Sequence, residues 1–442
     1  MGDSLFYNYV EFCKKIKHIN MGKIYFISIF LFTSIFYSQT YTVNTFASND
    51  TGQFFNAPCG MTIDTNDNLY ITDYGTNSIK KIASNGTVTL IAGGNYGYVN
   101  GTVAEASFFE PYGLAIDTTT GNIFIADRRN HCIRKITPSG DVSTFAGNPV
   151  YEIEGYYLDG NGTNARFNSP SGIAIDANGN LFVADRNNHC IRKITPAGDV
   201  STVAGNRENQ SFVNGNGANA YFNNPIDLDF DTNGNLYIAD YDNQVIRKMT
   251  PNGDVSTFSG TGQSGNTDGT SSVAQFNGPN YIEVDNSGNV FVTDRISSSI
   301  RKIDANGTVV TIAGNGNGFQ DGEGSSAQFS SPTGIAIDSN GNIFVSDWYN
   351  QKIRKITTSA LSNPNFELSK QVGIYPNPAK DHFQVDLENS LELKAITVYN
   401  NLGQQVVTTN SSKVNTSSLS KGMYYVEIVT NAGKTNKKII IE

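Results

Sequence analysis

The chain has 442 residues, enough for more than one domain, with a formal net charge of -9 and 38% hydrophobic residues. That charge excludes a nucleic-acid binder of the usual kind, which needs cations to displace counterions from phosphate, and gives no bias toward anionic membranes. Abundant glycine (43 residues), 11% aromatics and only 5 methionines suit many short strands joined by tight turns.

The N-terminal segment from Met21 reads MGKIYFISIFLFTSIFYSQ. Lys23 precedes an apolar stretch from Ile24 to Tyr37, short for a membrane span, and polar chain follows at once. This predicts a secretory signal over residues 1–39, cut near Ser38 or Gln39, with Met21 as a candidate start. Of the four cysteines, Cys13 lies before or within the removed segment. Cys59, Cys132 and Cys190 remain, an odd number that allows no complete disulfide framework.

Self-similarity dominates the next three hundred residues. Six related segments begin at Pro58, Pro111, Pro170, Pro225, Pro279 and Pro332, spaced 53 to 59 residues apart. Repeats of this length, rich in strand signals, predict a β-propeller. The third copy parses into four strands: a, GIAID (172–176); b, LFVAD (181–185); c, CIRKI (190–194); and d, VSTVAG (200–205). Asp, Asn, Gly and Pro fill the turns between them. The sixth copy stops after strand c at Ile356, and YTVNTFAS (41–48) resembles the missing strand d. The N-terminal strand is therefore expected to complete the last blade and close the ring.

The pattern A-D-x-x-N-H-x-I-R-K-I, preceded by G-N-L-[FY]-[IV], resembles the NHL repeat over residues 41 to 356. The resemblance implies an all-β fold, a six-bladed β-propeller at 40–356, but not one function, since that scaffold hosts unrelated ones. After a polar linker (357–371), residues 372–442 alternate as short strands and predict a small C-terminal β-sandwich. Y-P-N-P-A-x-D (375–381), N-x-L-G-Q (400–404) and G-x-Y-x-V-x-I (422–428) together resemble the type A sorting domain of the type IX secretion system. That resemblance implies contact with the secretion machinery through residues 372–442 and a Bacteroidetes-type source. It also implies export to the medium or outer cell surface, with membrane association only by surface attachment afterwards.

Candidate site residues follow from the loops. The long d–a connections and the b–c turns fall on one face of the disc, the expected binding face. The residue after the strand b aspartate varies there: Tyr74, Arg128, Arg186, Tyr241, Arg295 and Trp348. Arginines and aromatics are common binding anchors, and aromatic planes stack on sugar rings. The aspartate itself recurs (Asp73, Asp127, Asp185, Asp240, Asp294, Asp347) and is expected to cap the turn that follows it. Strand a usually presents Gly and Ala, but copies four and five carry Asp227, Asp229, Tyr281 and Glu283. These could converge at the central channel and bind a hard cation such as Ca²⁺ or a cationic ligand.

The repeated D-x-N-x-N resembles half a calcium loop, but Leu181 and Asn187 stand where Gly and Glu are needed, which leaves hairpin turns. HCIRKI (131–136, 189–194) invites a metal or Cys–His reading. Across the copies, however, the His position reads Asn77, His131, His189, Gln244, Ser298 and Gln351, so the repeat requires neither chemistry. No G-x-S-x-G or CxxC occurs, and no catalytic residue is assigned. The composition and loops favour a secreted binding module for a glycan, peptide or surface protein. An extracellular lyase or hydrolase at the channel is the alternative, and a structural adhesion component is a weaker one.

Overall fold

The computed structural model describes residues 40–48, 55–149, 157–359, 368, 371–388 and 391–442. The expected signal segment, its cleavage site, Cys13 and most of the expected linker lie outside the described residues.

Between Thr40 and Ser359 the described residues form six antiparallel sheets of four or five strands, an arrangement consistent with propeller blades. The third consists of Pro170–Ile175, Leu181–Asp185, Cys190–Ile194 and Asp199–Gly205. Its a–b turn is local chemistry: Asp176 Oδ1 accepts the N–H groups of Asn178 and Asn180 at 2.9 Å each, and Asn180 Nδ2 donates to Oδ2 at 2.8 Å. The half calcium loop is thus a hydrogen-bonded hairpin turn. The b–c turn is a 3-10 turn, Arg186–Asn188, that ends on His189 in the left-handed region at φ 54°.

The first strands contact one another in a closed cycle, from Pro58–Ile63 through each neighbour to Pro332–Ile337 and back. Glycine makes that approach possible. A Cβ on Gly113 would lie 2.2 Å from the Ser171 carbonyl oxygen, and one on Gly334 2.1 Å from that of Cys59. The ring closes as expected, because Thr40–Ser48 pairs antiparallel with Lys352–Ser359 over eight positions. That strand runs three residues beyond the expected end at Ile356.

Four-stranded blades were expected, yet four of the six sheets carry a fifth short strand drawn from the d–a loop. Gly101–Thr102, Gly160–Asn161, Gly215–Asn216 and Gly322–Glu323 pair with the outermost strand of their sheets. The physical gain is that the exposed edge has its backbone groups satisfied.

The C-terminal residues form a three-stranded and a four-stranded antiparallel sheet. They share one buried cluster that includes Phe383, Val385, Ile396, Val398, Val426, Ile428 and Ile439.

Candidate functional site

The recurring aspartate was expected to cap the turn that follows it, but the carboxylates of Asp127, Asp185 and Asp240 make no cap bond to the backbone of that turn and go to other partners. Asp185 Oδ2 accepts from Arg192 Nη1 at 2.8 Å, and Oδ1 accepts the Asn168 N–H, which precedes strand a, at 2.7 Å. Asn188 Nδ2 adds a third bond at 2.8 Å. Arg192 is wholly buried and reaches on to the Leu158 and Arg166 carbonyls at 2.8 Å each. Asp127–Arg134, Asp240–Arg247, Asp294–Arg301 and Asp347–Arg354 repeat the arrangement, with Lys80 on Asp73 in the first blade. Burial pushes Asp127, Asp240 and Asp294 up to about 6, against the pull of their arginines, so they stay mainly ionised at neutral pH. Each pair ties strands b and c to the long d–a loop. This shapes the face that carries the d–a loops without being displayed on it.

The histidines serve the same end. His131 Nδ1 accepts the Ser169 N–H and His189 Nδ1 accepts the Asn224 N–H, each at 3.0 Å and each in the next blade. Asn77 Oδ1 and Gln244 Oε1 do the same for Glu110 and Gly278, at 2.8 and 2.7 Å. At these four copies the residue is an acceptor on a left-handed backbone, a role that Asn, His and Gln all supply. Cys132 and Cys190 are buried free thiols, and burial drives both well above the usual thiol range.

Burial, followed by nearby arginines, holds His131 below its ordinary value, and burial does the same for His189. An unfolded chain is protonated first as pH falls. The stability from the neutral rings is therefore full above about 6.5 and is lost as pH drops through the depressed folded values. We expect the double variant His131→Asn, His189→Asn to lose less stability than wild type between pH 7.5 and 5.5. Urea midpoints at the two pH values measure this, and parallel losses would show that the rings do not titrate on unfolding.

The six residues after the aspartates converge. Tyr74 lies 4.9 Å from Trp348, ring centre to ring centre, and 6.4 Å from Tyr112. The Arg295 guanidinium sits 5.1 Å from the Trp348 ring, and that of Arg186 sits 6.0 Å from Tyr241. Arg128 donates to the Tyr74 hydroxyl at 3.3 Å and to Glu110 at 3.0 Å, and lies 5.6 Å from Tyr112. All six are half-buried. Beneath them Tyr112 stacks on Tyr281 at 5.7 Å, and Tyr281 contacts the buried Cys59 thiol at 3.4 Å. Tyr112, Glu110 and Cys59 were not expected. The signal was present in strand a, whose second residue changes at each copy (Cys59, Tyr112, Ser171, Ile226, Asn280, Thr333) beside a mostly glycine third.

Asp227, Asp229, Tyr281 and Glu283 are also brought together. They line a cavity of about 220 Å³ between the first strands, with Thr62, Ala115 and Ala174. Asp227 Oδ2 accepts the Ile282 N–H at 3.0 Å, and Asp229 accepts from Val284 and Phe230 at 2.7 and 2.8 Å. Glu283 bonds the Ile337 backbone in the same way. The carboxylates thus fasten the first strand of copy four to that of copy five, and copy five to copy six. Burial raises Asp227 well above the carboxylate range and Asp229 to about 7. Glu283 is raised first by burial and then by the two aspartates. Among the described residues no group of three or more His, Cys, Asp or Glu side chains is arranged to hold a metal ion.

Sequence comparison finds NHL repeats at residues 110–136, 167–194 and 329–356, and a secretion system C-terminal sorting domain at 373–442. The protein SUPPRESSOR OF QUENCHING 1 of Arabidopsis thaliana is 28% identical over 341 residues, covering 73% of this chain and 32% of that protein. NHL repeat-containing protein 2 of Homo sapiens is 29% identical over 282 residues, covering 56% of this chain and 38% of that one. The chain spans about a third of the length of these curated relatives. Among solved structures, an auxiliary nutrient binding protein from Bacteroides ovatus superposes with a TM-score of 0.55 at 19% identity. It covers 73% of this chain and 78% of that one, a likeness of fold alone. The sorting domain directs export by type IX secretion to the cell surface or extracellular space, in contact with that machinery. The chain therefore carries NHL repeats within a β-propeller and ends in a secretion system C-terminal sorting domain.

Proposed function

We propose that this chain is a six-bladed propeller followed by a β-sandwich, and that it acts outside the cell as a binding module for a glycan, peptide or surface protein. One observation carries the reading. Six residues far apart in sequence, one per blade, meet at the propeller axis as a half-buried mosaic of aromatic rings and guanidinium groups. Such groups supply rigid contact area and directional hydrogen bonds at low entropic cost. The surrounding loops are pinned by the buried Asp–Arg pairs, so the mosaic is preorganised. The description of the Bacteroides ovatus protein as nutrient binding agrees with this reading.

A second reading, a hydrolase or lyase at the channel, draws on the raised carboxylates around the internal cavity. Weighing against it, all three carboxylates are already engaged with backbone N–H groups of the following strands. Calcium belongs to this second reading.

A glycan and peptide array probed with wild type and Trp348→Ala, each with and without Ca²⁺, tests the proposal. We expect a ligand class that wild type retains and Trp348→Ala loses at least tenfold, independent of Ca²⁺. Retention by both proteins alike would remove the axial mosaic as the site.

A further inference from the structure

Charge is distributed unevenly along the axis. Arg128, Arg186 and Arg295 project three guanidinium groups into the mosaic, and among the described residues Glu110 is the carboxylate paired with them, on Arg128 at 3.0 Å. Glu110 also takes Arg129 at 2.9 Å, so its charge is shared. Arg186 and Arg295 meet aromatic faces instead. All three guanidiniums act electrostatically on the hydroxyl of Tyr112, which ties their positive charge to one spot. Three half-buried cations with one shared counter-charge repel one another, and a chain with net charge -9 has carboxylates to spare for neutralising them.

An unused hydrogen-bonding group lies at the same place. The Tyr112 side chain is 3% exposed, and its hydroxyl has no partner. A buried polar group without a partner is costly, so the Tyr112 hydroxyl, set among three guanidinium groups, points to a ligand that satisfies it.

Resting on the binding reading above, we infer that the axial mosaic takes an acidic saccharide, a sugar ring bearing a carboxylate. The carboxylate would sit among Arg128, Arg186 and Arg295, and the ring face would lie on Tyr74, Tyr241 or Trp348. A guanidinium presents a planar fork that matches a carboxylate in two parallel bonds. Aromatic planes beside that fork give the sugar ring an apolar surface, which a flexible acidic peptide does not need.

Calorimetric titration of the full chain with trigalacturonate, its fully methyl-esterified form and a triaspartate peptide tests this. Trigalacturonate should bind, its ester at least tenfold more weakly, and triaspartate more weakly than trigalacturonate. Arg295→Gln and Arg186→Gln should each weaken trigalacturonate binding about tenfold and narrow the gap between acid and ester. Arg295→Lys, which keeps the charge but loses the fork, should fall between. Thermal melts of each variant confirm folding, and trigalacturonate should raise the wild-type midpoint where the ester does not.

Equal affinity for acid and ester would overturn the inference and leave the binding reading standing. Tighter binding of triaspartate would overturn it in favour of an acidic peptide. No heat from any probe would overturn it as well, and the array then decides the binding reading separately.

Discussion

Removal of residues Thr40–Ser48 is expected to abolish cooperative folding of the propeller. This strand pairs with Lys352–Ser359 at eight positions and buries Val43 and Ala47, which are 0% and 3% exposed. It also holds the d–a loop of its own blade: the Thr45 N–H and hydroxyl both donate to Asp321 Oδ2 at 3.0 Å, and Gly322–Glu323 pairs on its outer edge. Losing the ladder and the buried valine costs on the order of 5–10 kcal/mol. A typical domain has only about 5–15 kcal/mol in total. Circular dichroism melts should show a broadened or absent transition and an aggregating product. Excising the exposed loop residues 207–210 should barely move the midpoint. An unchanged melt after deletion of 40–48 would mean that the ring does not depend on this closure.

The second large effect is expected at a buried ion pair. Asp185→Ala removes the fully buried counter-ion of Arg192 and leaves it only the half-exposed Asp159 at 2.7 Å, and also strips a partner from Asn188 and from the Asn168 N–H. Breaking a buried pair from one side costs about 3–5 kcal/mol, and the remaining bond to Asp159 puts this variant toward the lower end. Asp199→Ala removes a hydrogen bond of similar length, 2.8 Å to Asn161, from the exposed surface and should cost about 0.5 kcal/mol or less. Urea denaturation of the two variants beside wild type measures the contrast. Similar small losses in both would mean that the Asp–Arg pair is not what anchors the d–a loop.

These variants separate two layers of information. The strand b aspartate and the strand c basic residue stand seven positions apart in every copy, from Asp73 and Lys80 to Asp347 and Arg354. That spacing is visible in the chain, yet its meaning depends on a hairpin that lays Asp185 beside Cys190 and Val183 beside Arg192. Short apolar runs predict the strands and short Asp–Asn–Gly turns predict the hairpins, because both are settled within a few residues. The fifth edge strands were not legible. Two residues such as Gly101–Thr102 have no pattern of their own and become a strand only because an unpaired edge lies nearby.

The candidate site divides in the same way. Variation after each aspartate singled out Tyr74, Arg128, Arg186, Tyr241, Arg295 and Trp348 from the repeat alone, and the breaks in copies four and five singled out Asp227, Asp229, Tyr281 and Glu283. Which of these face a ligand and which fasten the ring could not be read locally. Asp229 meets the Val284 N–H across 55 residues, and Tyr112 meets Tyr281 from two blades that are not neighbours in sequence.

By itself, the sequence determined the blades, the strand that closes them and the secretion tail, since each is written in contiguous residues or in a repeated register. Only the tertiary structure decided that the histidines are interblade acceptors, that the channel carboxylates are spent on backbone N–H groups, and that three arginines share one axis. Those facts depend on distances between blades, which are set by how closely glycine lets the first strands approach.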